Sequence, residues 1–232
     1  MIIKFEDLGV REYKNTWDYQ EQLFNEIINA KLHNRNHQGD KKVINGHLLF
    51  VEHPHVYTLG KSGTENNLLI NDEFLKKIDA TYFKSNRGGD ITYHGPGQVV
   101  GYPIFDLEQI GLSVKSYIEK LEEVIIRTIS EYGIAGTRLE AATGVWLDTD
   151  VPGKTRKICA IGVRASRYVS MHGFALNVNT NLDYFSYINP CGFIDKGVTS
   201  MQKELNGQVN FEEVKDKLKA NFQKVFSIIW QN

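Results

Sequence analysis

One stretch of twelve residues, residues 87–98, combines backbone freedom with side chains that bind anions or move protons. It reads RGGDITYHGPGQ and holds four glycines, one proline, one arginine and one histidine. Glycines let the backbone approach a ligand closely, while Arg87 suits an anionic group and His94 suits proton transfer. The stretch matches neither a P-loop nor a dinucleotide fingerprint. We therefore interpret it as a ligand-binding loop, with an ordinary Gly/Pro-rich turn as the alternative.

The two cysteines have different surroundings. Cys159 lies in the apolar run KICAIGV, which is typical of a buried strand, whereas Cys191 lies in the turn-like sequence NPCG. A lone cysteine is often a small buried hydrophobe. A thiol in a turn can instead face a cleft, and with an ordinary pKa of about 8.5 it needs a cationic neighbour to be a thiolate at pH 7. Lys157 is the candidate neighbour, with an exposed strand-end lysine as the alternative; it lies 34 positions away (191 − 157 = 34).

The histidines offer a competing hypothesis. On a strand, the side chains of His53 and His55 would lie on one face, and with His94, His172 and Cys191 they form a candidate zinc set. However, a proline separates the first two, and neither CxxC nor HExxH is present. We therefore expect no metal. The GxSxG elbow of serine hydrolases is also absent from the sequence.

Charge and length exclude several classes of protein. The chain has 232 residues with 27 Lys and Arg against 28 Asp and Glu, a net charge of −1. This balance lacks the basic footprint of nucleic-acid binding, and no basic run indicates an anionic membrane surface. No apolar stretch has the length of a signal peptide or a spanning helix. We expect one catalytic domain over residues 1–232, located in the cytoplasm.

Apolar periodicity predicts the elements that must position these residues. Three segments have helical spacing: residues 14–32, residues 117–132 ended by Gly133, and a segment that begins at Asn210 with Glu213 as a capping-box partner. Five runs rich in β-branched and aromatic residues predict strands: HLLFVEH, QVVGYPIFDL, TGVWLD, KICAIGVRAS and HGFALNV. TGVWLD and KICAIGVR predict an antiparallel hairpin. The pattern favours an α/β fold of the α+β type, with helices flanking a mixed, largely antiparallel sheet.

Taken together, the motifs resemble one family. HPHVYTLGKSG, RGGDITYHGPGQVVGYPIFDL, KICAIGVR, HGFALNV and NPCGF occur in the order seen in lipoyl(octanoyl) transferases, from about residue 47 to 200. The resemblance implies the catalytic-domain fold of biotin- and lipoate-protein ligases. It also implies transfer of an octanoyl group, without a cofactor, from octanoyl-acyl carrier protein to a lysine of a lipoyl domain. Such domains belong to 2-oxoacid dehydrogenase E2 subunits and the glycine cleavage H protein.

The resemblance also implies roles for individual residues. Cys191 corresponds to the acyl-thioester nucleophile, and Lys157 to the lysine that lowers the pKa of that thiol and acts as acid and base. Cys159 and Phe174 stand where small or aliphatic residues are expected, which would reshape an acyl tunnel. We assign His94 and His172 no definite proton role. The acyl-binding residues implied are Arg87, Gly88, Gly89, Asp90, Ile91, Thr92, Tyr93, His94, Ala160, Ile161, Gly162, Gly173, Phe174 and Ala175.

Two alternatives to the transferase remain at this point. An ATP-dependent lipoate- or biotin-protein ligase of the same fold activates a free acid and does not need Cys191. A non-catalytic relative would hold acyl chains or carrier protein without forming a covalent adduct.

Overall fold

The computed structural model describes residues 1–37, 39–189 and 196–231. Within them, two sheets and five α-helices are present. In chain order the strands are β1 (Ile2–Val10), β2 (Gly46–Glu52), β3 (Val56–Leu59), β4 (Thr81–Lys84), β5 (Ile91–His94), β6 (Gln98–Ile104), β7 (Thr137–Leu139), β8 (Ala142–Leu147), β9 (Arg156–Ser166), β10 (Val169–Asn177), β11 (Gly197–Val198) and β12 (Ile229–Trp230). The helices are α1 (Tyr13–Asn36), α2 (Asp72–Lys77), α3 (Val114–Ser130), α4 (Met201–Glu204) and α5 (Phe211–Phe226).

The large sheet is mixed and largely antiparallel. Its strand order is β12-β1-β2-β6-β10-β9-β8-β7, and β11 pairs with β9. Among the described strands of this sheet, the parallel pairs are β1–β12, β1–β2 and β9–β11. The predicted hairpin is present as the antiparallel pair β8–β9. The predicted fold class is therefore confirmed.

Helices cover both faces of this sheet because each carries an apolar stripe. The stripes of α3 and α5 meet the large core, in which Tyr117, Phe174 and Phe222 are buried. Helix α1 packs Phe24 and other apolar residues onto the opposite face. Complete burial of one such side chain contributes roughly 1.5–3 kcal/mol. As predicted, Asn210 caps α5, its side chain accepting a hydrogen bond from the Glu213 amide at 3.2 Å.

A second sheet has the order β4-β3-β5, and its strand β5 lies within residues 87–98, which were predicted to form a loop. Its strand β5 (Ile91–His94) pairs antiparallel with β3, so that Tyr93 stands opposite Tyr57. Both tyrosines are fully buried in a separate apolar cluster. The prediction of a loop over residues 87–98 was therefore wrong for residues 91–94. They form a short strand, which the buried pair Tyr57 and Tyr93 stabilises.

The turns at either end of β5 attach it to the large sheet. Gly88 donates its amide hydrogen to the Val163 carbonyl at 2.9 Å, and the Gly97 carbonyl accepts from the Asn179 amide at 2.8 Å. Gly97 has φ of +79°, and a Cβ there would lie 2.5 Å from the Asn179 oxygen. A side chain at residue 97 would therefore separate the two sheets. In the described part of the chain, no helix combines the length and the apolar character needed to span a membrane.

Candidate active site

A cavity of about 440 Å³ is bordered by residues of both sheets. Its volume lies within the usual range of small-molecule sites, roughly 300–1,000 Å³. Cys191 lies outside the described residues, and among the described ones Gly88 and Tyr93 lie outside the lining. The other predicted site residues border the cavity: Arg87, Gly89, Asp90, Ile91, Thr92, His94, Lys157, Ala160, Ile161, Gly162, Gly173, Phe174 and Ala175.

The described residues on either side of Cys191 are attached to the wall of this cavity. On the N-terminal side, Asn189 donates its amide hydrogen to the Asn67 carbonyl at 2.8 Å. The Asn67 side chain in turn donates to Asp90 Oδ2 at 2.7 Å. On the C-terminal side, Gly197 follows Cys191 by six positions (197 − 191 = 6) and itself borders the cavity. Asn189 is thus linked to the cavity wall through Asn67 and Asp90, and Gly197 is part of that wall.

Lys157 lies on β9 directly opposite Val198 of β11. Thr199 donates its amide hydrogen to the Lys157 carbonyl at 2.9 Å. The Lys157 ammonium lies 4.5 Å from the centre of the Trp146 ring, close enough for a cation–π interaction. That ring is only 2% exposed, and its indole N–H donates to the Ala142 carbonyl at 2.8 Å. A buried, hydrogen-bonded indole therefore holds the lysine head group at the cavity.

Gly144 lies close to both the Cys159 carbonyl and the Lys157 side chain. Gly144 has φ of +129°, and a Cβ there would lie 2.6 Å from the Cys159 carbonyl and 3.4 Å from Lys157 Cε. Glycine is therefore required here by the backbone conformation and by the Cys159 carbonyl, while the lysine stem lies at ordinary contact distance. Cys159 is fully buried, and burial raises the pKa of its thiol well above the ordinary value. Its interpretation as a core residue is confirmed.

Arg87 is held by protein groups. It is 8% exposed, and its Nη2 donates to the Thr58 carbonyl at 2.6 Å and to Thr58 Oγ1 at 3.0 Å. Its Nη1 donates to the Gly88 carbonyl at 3.0 Å. A Cβ at Gly60 would lie 2.8 Å from Nη1, and one at Gly162 would lie 3.3 Å away. These glycines make room for the guanidinium, which forms part of the cavity wall while it is hydrogen-bonded to protein groups.

His94 is a neutral wall residue. Burial, aided by the positive charge of Arg87, lowers the pKa of His94 to about 3. Gln98 donates its amide hydrogens to the Tyr93 carbonyl and to Asn177 Oδ1, so its own oxygen is left to accept. His94 Nδ1 therefore donates to Gln98 Oε1, at 2.8 Å. With so low a pKa, the His94 ring is uncharged near pH 7.

His172 adopts an uncommon backbone conformation inside β10. Its φ is +58°, a left-handed value that non-glycine residues rarely adopt. Its Nε2 donates to Asn86 Oδ1 at 2.6 Å, because Asn86 uses its own N–H to donate to Glu21. Burial and the nearby Arg87 lower the pKa of His172 to about 3. Such strain concentrates at functional sites, and here it accompanies a neutral ring on the cavity wall.

Tyr13 and Tyr102 are wall residues that the sequence analysis missed. The Tyr13 hydroxyl donates to Ser85 Oγ at 3.1 Å, and the Tyr102 hydroxyl bonds His53 Nε2 at 2.8 Å. Both polar atoms are therefore satisfied by protein. Tyr13 is the first residue of α1 and lies on its buried face, one position before the predicted helix of residues 14–32. The apolar pattern there predicts only core packing, so no sequence signal marks Tyr13 as a site residue.

The histidines of the zinc hypothesis are used in other ways. His53 has both ring nitrogens bonded, the second to the Arg11 carbonyl at 2.6 Å. His55 bonds the Tyr93 hydroxyl through Nδ1 at 2.7 Å and stacks on Tyr184 with ring centres 4.1 Å apart. Within the described ranges, no group of three or more His, Cys, Asp or Glu side chains is arranged to hold a metal ion.

Phe174 borders the cavity, yet its ring packs into the large core. The ring centres of Phe50 and Phe222 lie 6.2 and 5.8 Å from it. Opposite it on β6 stands Gly101, at which any Cβ would overlap the Phe174 ring. The large side chain is thus accommodated by a glycine across the strand pair.

The lining is mostly uncharged, and its charged side chains are Arg87, Asp90, Lys157 and Lys196. Aromatic rings, small residues and backbone form most of the lining, and Lys157 supplies an ammonium group. This is suited to an apolar ligand whose reactive end lies at Lys157.

Comparisons with known proteins agree with this description. The catalytic-domain model of lipoyl protein ligases A and B matches residues 12–223. An octanoyltransferase of Christiangramia forsetii is 54% identical over 225 residues, which are 97% of this chain and 95% of the relative. A bipartite lipoate protein ligase of Thermoplasma acidophilum shares the fold with a TM-score of 0.72 and 16% identity, covering 100% of this chain and 86% of that chain. The biotin protein ligase of Aquifex aeolicus gives a TM-score of 0.53 at 12% identity, covering 97% and 70%.

Proposed function

Because the chain belongs to the lipoyl protein ligase A/B catalytic-domain family, we propose that it performs octanoyl transfer through a thioester on Cys191. The octanoyltransferase activity itself, a step of protein lipoylation, follows from the identity of 54% over nearly the full length of a curated octanoyltransferase. The acceptor is a lipoyl-domain protein. The donor we propose is octanoyl-acyl carrier protein, and the acceptors are 2-oxoacid dehydrogenase E2 subunits and the glycine cleavage H protein. Residues 1–232 act as one catalytic domain, in the cytoplasm.

One observation carries this proposal. Lys157 and the described residues that follow Cys191, namely Lys196, Gly197 and Val198, border the same cavity. A thiolate needs a nearby cation to be populated at neutral pH. The register of β11 against β9 supports the pairing of this lysine with the cysteine, since it fixes the returning chain beside Lys157.

The proposed reaction has two steps. The Cys191 thiolate, stabilised by the Lys157 ammonium, attacks the thioester carbonyl of the carrier. The new S–C bond replaces the carrier's S–C bond, and the departing carrier sulfur takes a proton from the Lys157 ammonium, which leaves Lys157 neutral for the second step. In the second step, the acceptor lysine amine attacks the enzyme thioester and gives its proton to Lys157 in its neutral form. An amide forms, and Cys191 is released as the thiolate.

The cavity walls support binding of the acyl chain. Each buried methylene contributes about 0.8 kcal/mol, so the seven carbons beyond the octanoyl carbonyl contribute roughly 5 kcal/mol when fully enclosed. His94 and His172 remain neutral near pH 7 because burial lowers the pKa of each to about 3.

Intact-mass spectrometry after incubation with octanoyl-acyl carrier protein tests the mechanism. We expect one octanoyl adduct, removed by hydroxylamine and absent from Cys191→Ser. Cys159→Ala is the matched control, because it removes the other, fully buried thiol; it keeps the adduct. Active turnover without any adduct would exclude the thioester route.

The ATP-dependent ligase alternative is tested in parallel. It requires free octanoate and ATP and dispenses with the cysteine. Modification of a lipoyl domain by Cys191→Ser under those conditions would favour the ligase over the transferase mechanism.

A further inference from the structure

We propose that Tyr13 sets the upper limit on acyl-chain length by forming the inner end wall of the cavity. The inference rests on the proposed function, since it places the reactive end of the acyl chain at Lys157 and Cys191. Tyr13 is the first residue of α1 and lies outside the sequence motifs quoted for the resemblance.

Strand β9 gives the direction of the cavity. Gly162 follows Lys157 by five positions (162 − 157 = 5), and both border the cavity. At about 3.3 Å per residue this spans roughly 16 Å. The Arg87 guanidinium packs against Gly162, and the Arg87 amide donates to Ser85 Oγ at 3.3 Å. That same oxygen accepts from the Tyr13 hydroxyl. Tyr13 therefore lies at the end of the cavity away from Lys157.

The Tyr13 ring is fixed in place. It is 2% exposed and lies parallel to the His94 ring, with centres 6.1 Å apart and an angle of 11°. The rings of His53 and Phe83 each pack against it with centres 5.5 Å away. With its hydroxyl bonded to Ser85, the ring has neither the space nor the freedom to swing aside.

The dimensions match an eight-carbon chain. The seven C–C bonds of an octanoyl group extend roughly 9 Å, given bonds of about 1.5 Å. The cysteine side chain and the thioester take up much of the difference between the roughly 9 Å of the acyl chain and the roughly 16 Å from Lys157 to Gly162. Each further methylene then brings the terminal methyl group closer to the Tyr13 ring, so longer chains lose contact energy or strain the wall.

A competition experiment tests this inference. Octanoyl- and decanoyl-acyl carrier protein are mixed in equal amounts with a lipoyl domain, and the two acylated products are counted by mass. We expect Tyr13→Ala to raise the decanoyl-to-octanoyl ratio roughly tenfold, since two further methylenes would be buried. We expect Tyr13→Leu to raise the ratio less. It is the test variant to use if Tyr13→Ala does not fold. The ratio is independent of the folded fraction.

Phe83→Leu is the matched control. Its ring packs against Tyr13, yet among the described residues it lies outside the cavity lining, so the ratio stays at the wild-type value. An unchanged ratio in both Tyr13 variants, loss of transfer of both chains by both, or an equal rise in Phe83→Leu would overturn the inference. Failure of the wild-type protein to transfer either chain would count against the proposed function instead.

Discussion

Lys157 and Val198 are direct neighbours across the parallel strands β9 and β11, although 41 positions separate them in sequence (198 − 157 = 41). The pairing is secured by the hydrogen bond from the Thr199 amide to the Lys157 carbonyl. Parallel strands need a long connection, and the connection here contains Cys191. Backbone pairing thus brings Val198, seven positions after Cys191 (198 − 191 = 7), beside Lys157.

Lys157→Arg should separate the two proposed roles of this residue. Arginine keeps the positive charge but cannot lose a proton near neutral pH. We expect the octanoyl adduct to form within about tenfold of the wild-type rate, while transfer to the lipoyl domain falls by about 100-fold or more. Time-resolved intact mass of both proteins measures the two steps. Lys154→Arg, in the exposed loop before β9, is the control; an equal loss of both steps in Lys157→Arg would contradict the division of roles.

Asn67 joins the glycine-rich loop to the chain that precedes Cys191, through Asp90 and Asn189. Asn67→Asp replaces a donor with a second carboxylate facing Asp90. We expect a loss of roughly 1–3 kcal/mol in the free energy of unfolding and at least tenfold slower adduct formation, measured by urea denaturation and intact mass. Asn66→Asp changes the same charge at an exposed neighbouring position. Equal effects of the two variants would assign the result to charge alone.

Gly101 and Phe174 should show strong energetic coupling. A Cβ at residue 101 overlaps the Phe174 ring, so Gly101→Ala should destabilise the fold by about 1–3 kcal/mol. Phe174→Leu removes the obstacle, and the double variant should lose clearly less than the sum of the single losses in urea denaturation. Gly207→Ala, with its nearest neighbour 3.9 Å away, is the control. Simple additivity would show that the two side chains do not compete for this space.

Stability should fall as the pH drops below 6.5. Burial lowers the pKa of His53 to about 4 and those of His94 and His172 to about 3. Between these values and 6.5 the unfolded chain binds protons that the folded chain does not, so the free energy of unfolding decreases with decreasing pH. Between pH 8 and 5.5 each histidine accounts for about 1.4 kcal/mol, or about 4 kcal/mol for the three.

Urea denaturation at the two pH values checks this sum. His53→Gln should reduce the pH-dependent loss by about 1.4 kcal/mol, because glutamine does not titrate. A variant with the full wild-type pH dependence would mean that His53 is protonated in the folded protein.

Much of the large sheet could be predicted from the sequence, because β2, β6, β8, β9 and β10 are long apolar runs. Strands β3, β4 and β5 could not, since each has four residues, and turn residues flank or lie between them. Their pairing depends on tertiary contacts such as that of Tyr57 with Tyr93, which no local pattern contains. Strand β11 has two residues and is defined only by its partner.

The candidate site divides in a similar way. The family motifs contain most of the cavity lining, including Arg87, His94 and Lys157. The side-chain type of Arg87 predicted an anionic partner, whereas the hydrogen bonds described above go to Thr58 and to the Gly88 carbonyl. Tyr13 and Asn67 were missed because their roles depend on contacts with residues distant in sequence, namely Ser85 and His94 for Tyr13 and Asp90 and Asn189 for Asn67. The nucleophilic role of Cys191 stays a prediction.

The position of Tyr13 in the first turn of α1 has an evolutionary consequence. It precedes Arg87 by 74 positions (87 − 13 = 74) and belongs to a helix with its own packing requirements. A mutation at this residue can therefore change the proposed end wall while every residue of the reaction motifs keeps its identity. If Tyr13 sets the chain-length limit as proposed, two descendants with identical motifs can prefer acyl groups of different length. The motifs then indicate the reaction, and residue 13 of α1 indicates the length of acyl chain that is used.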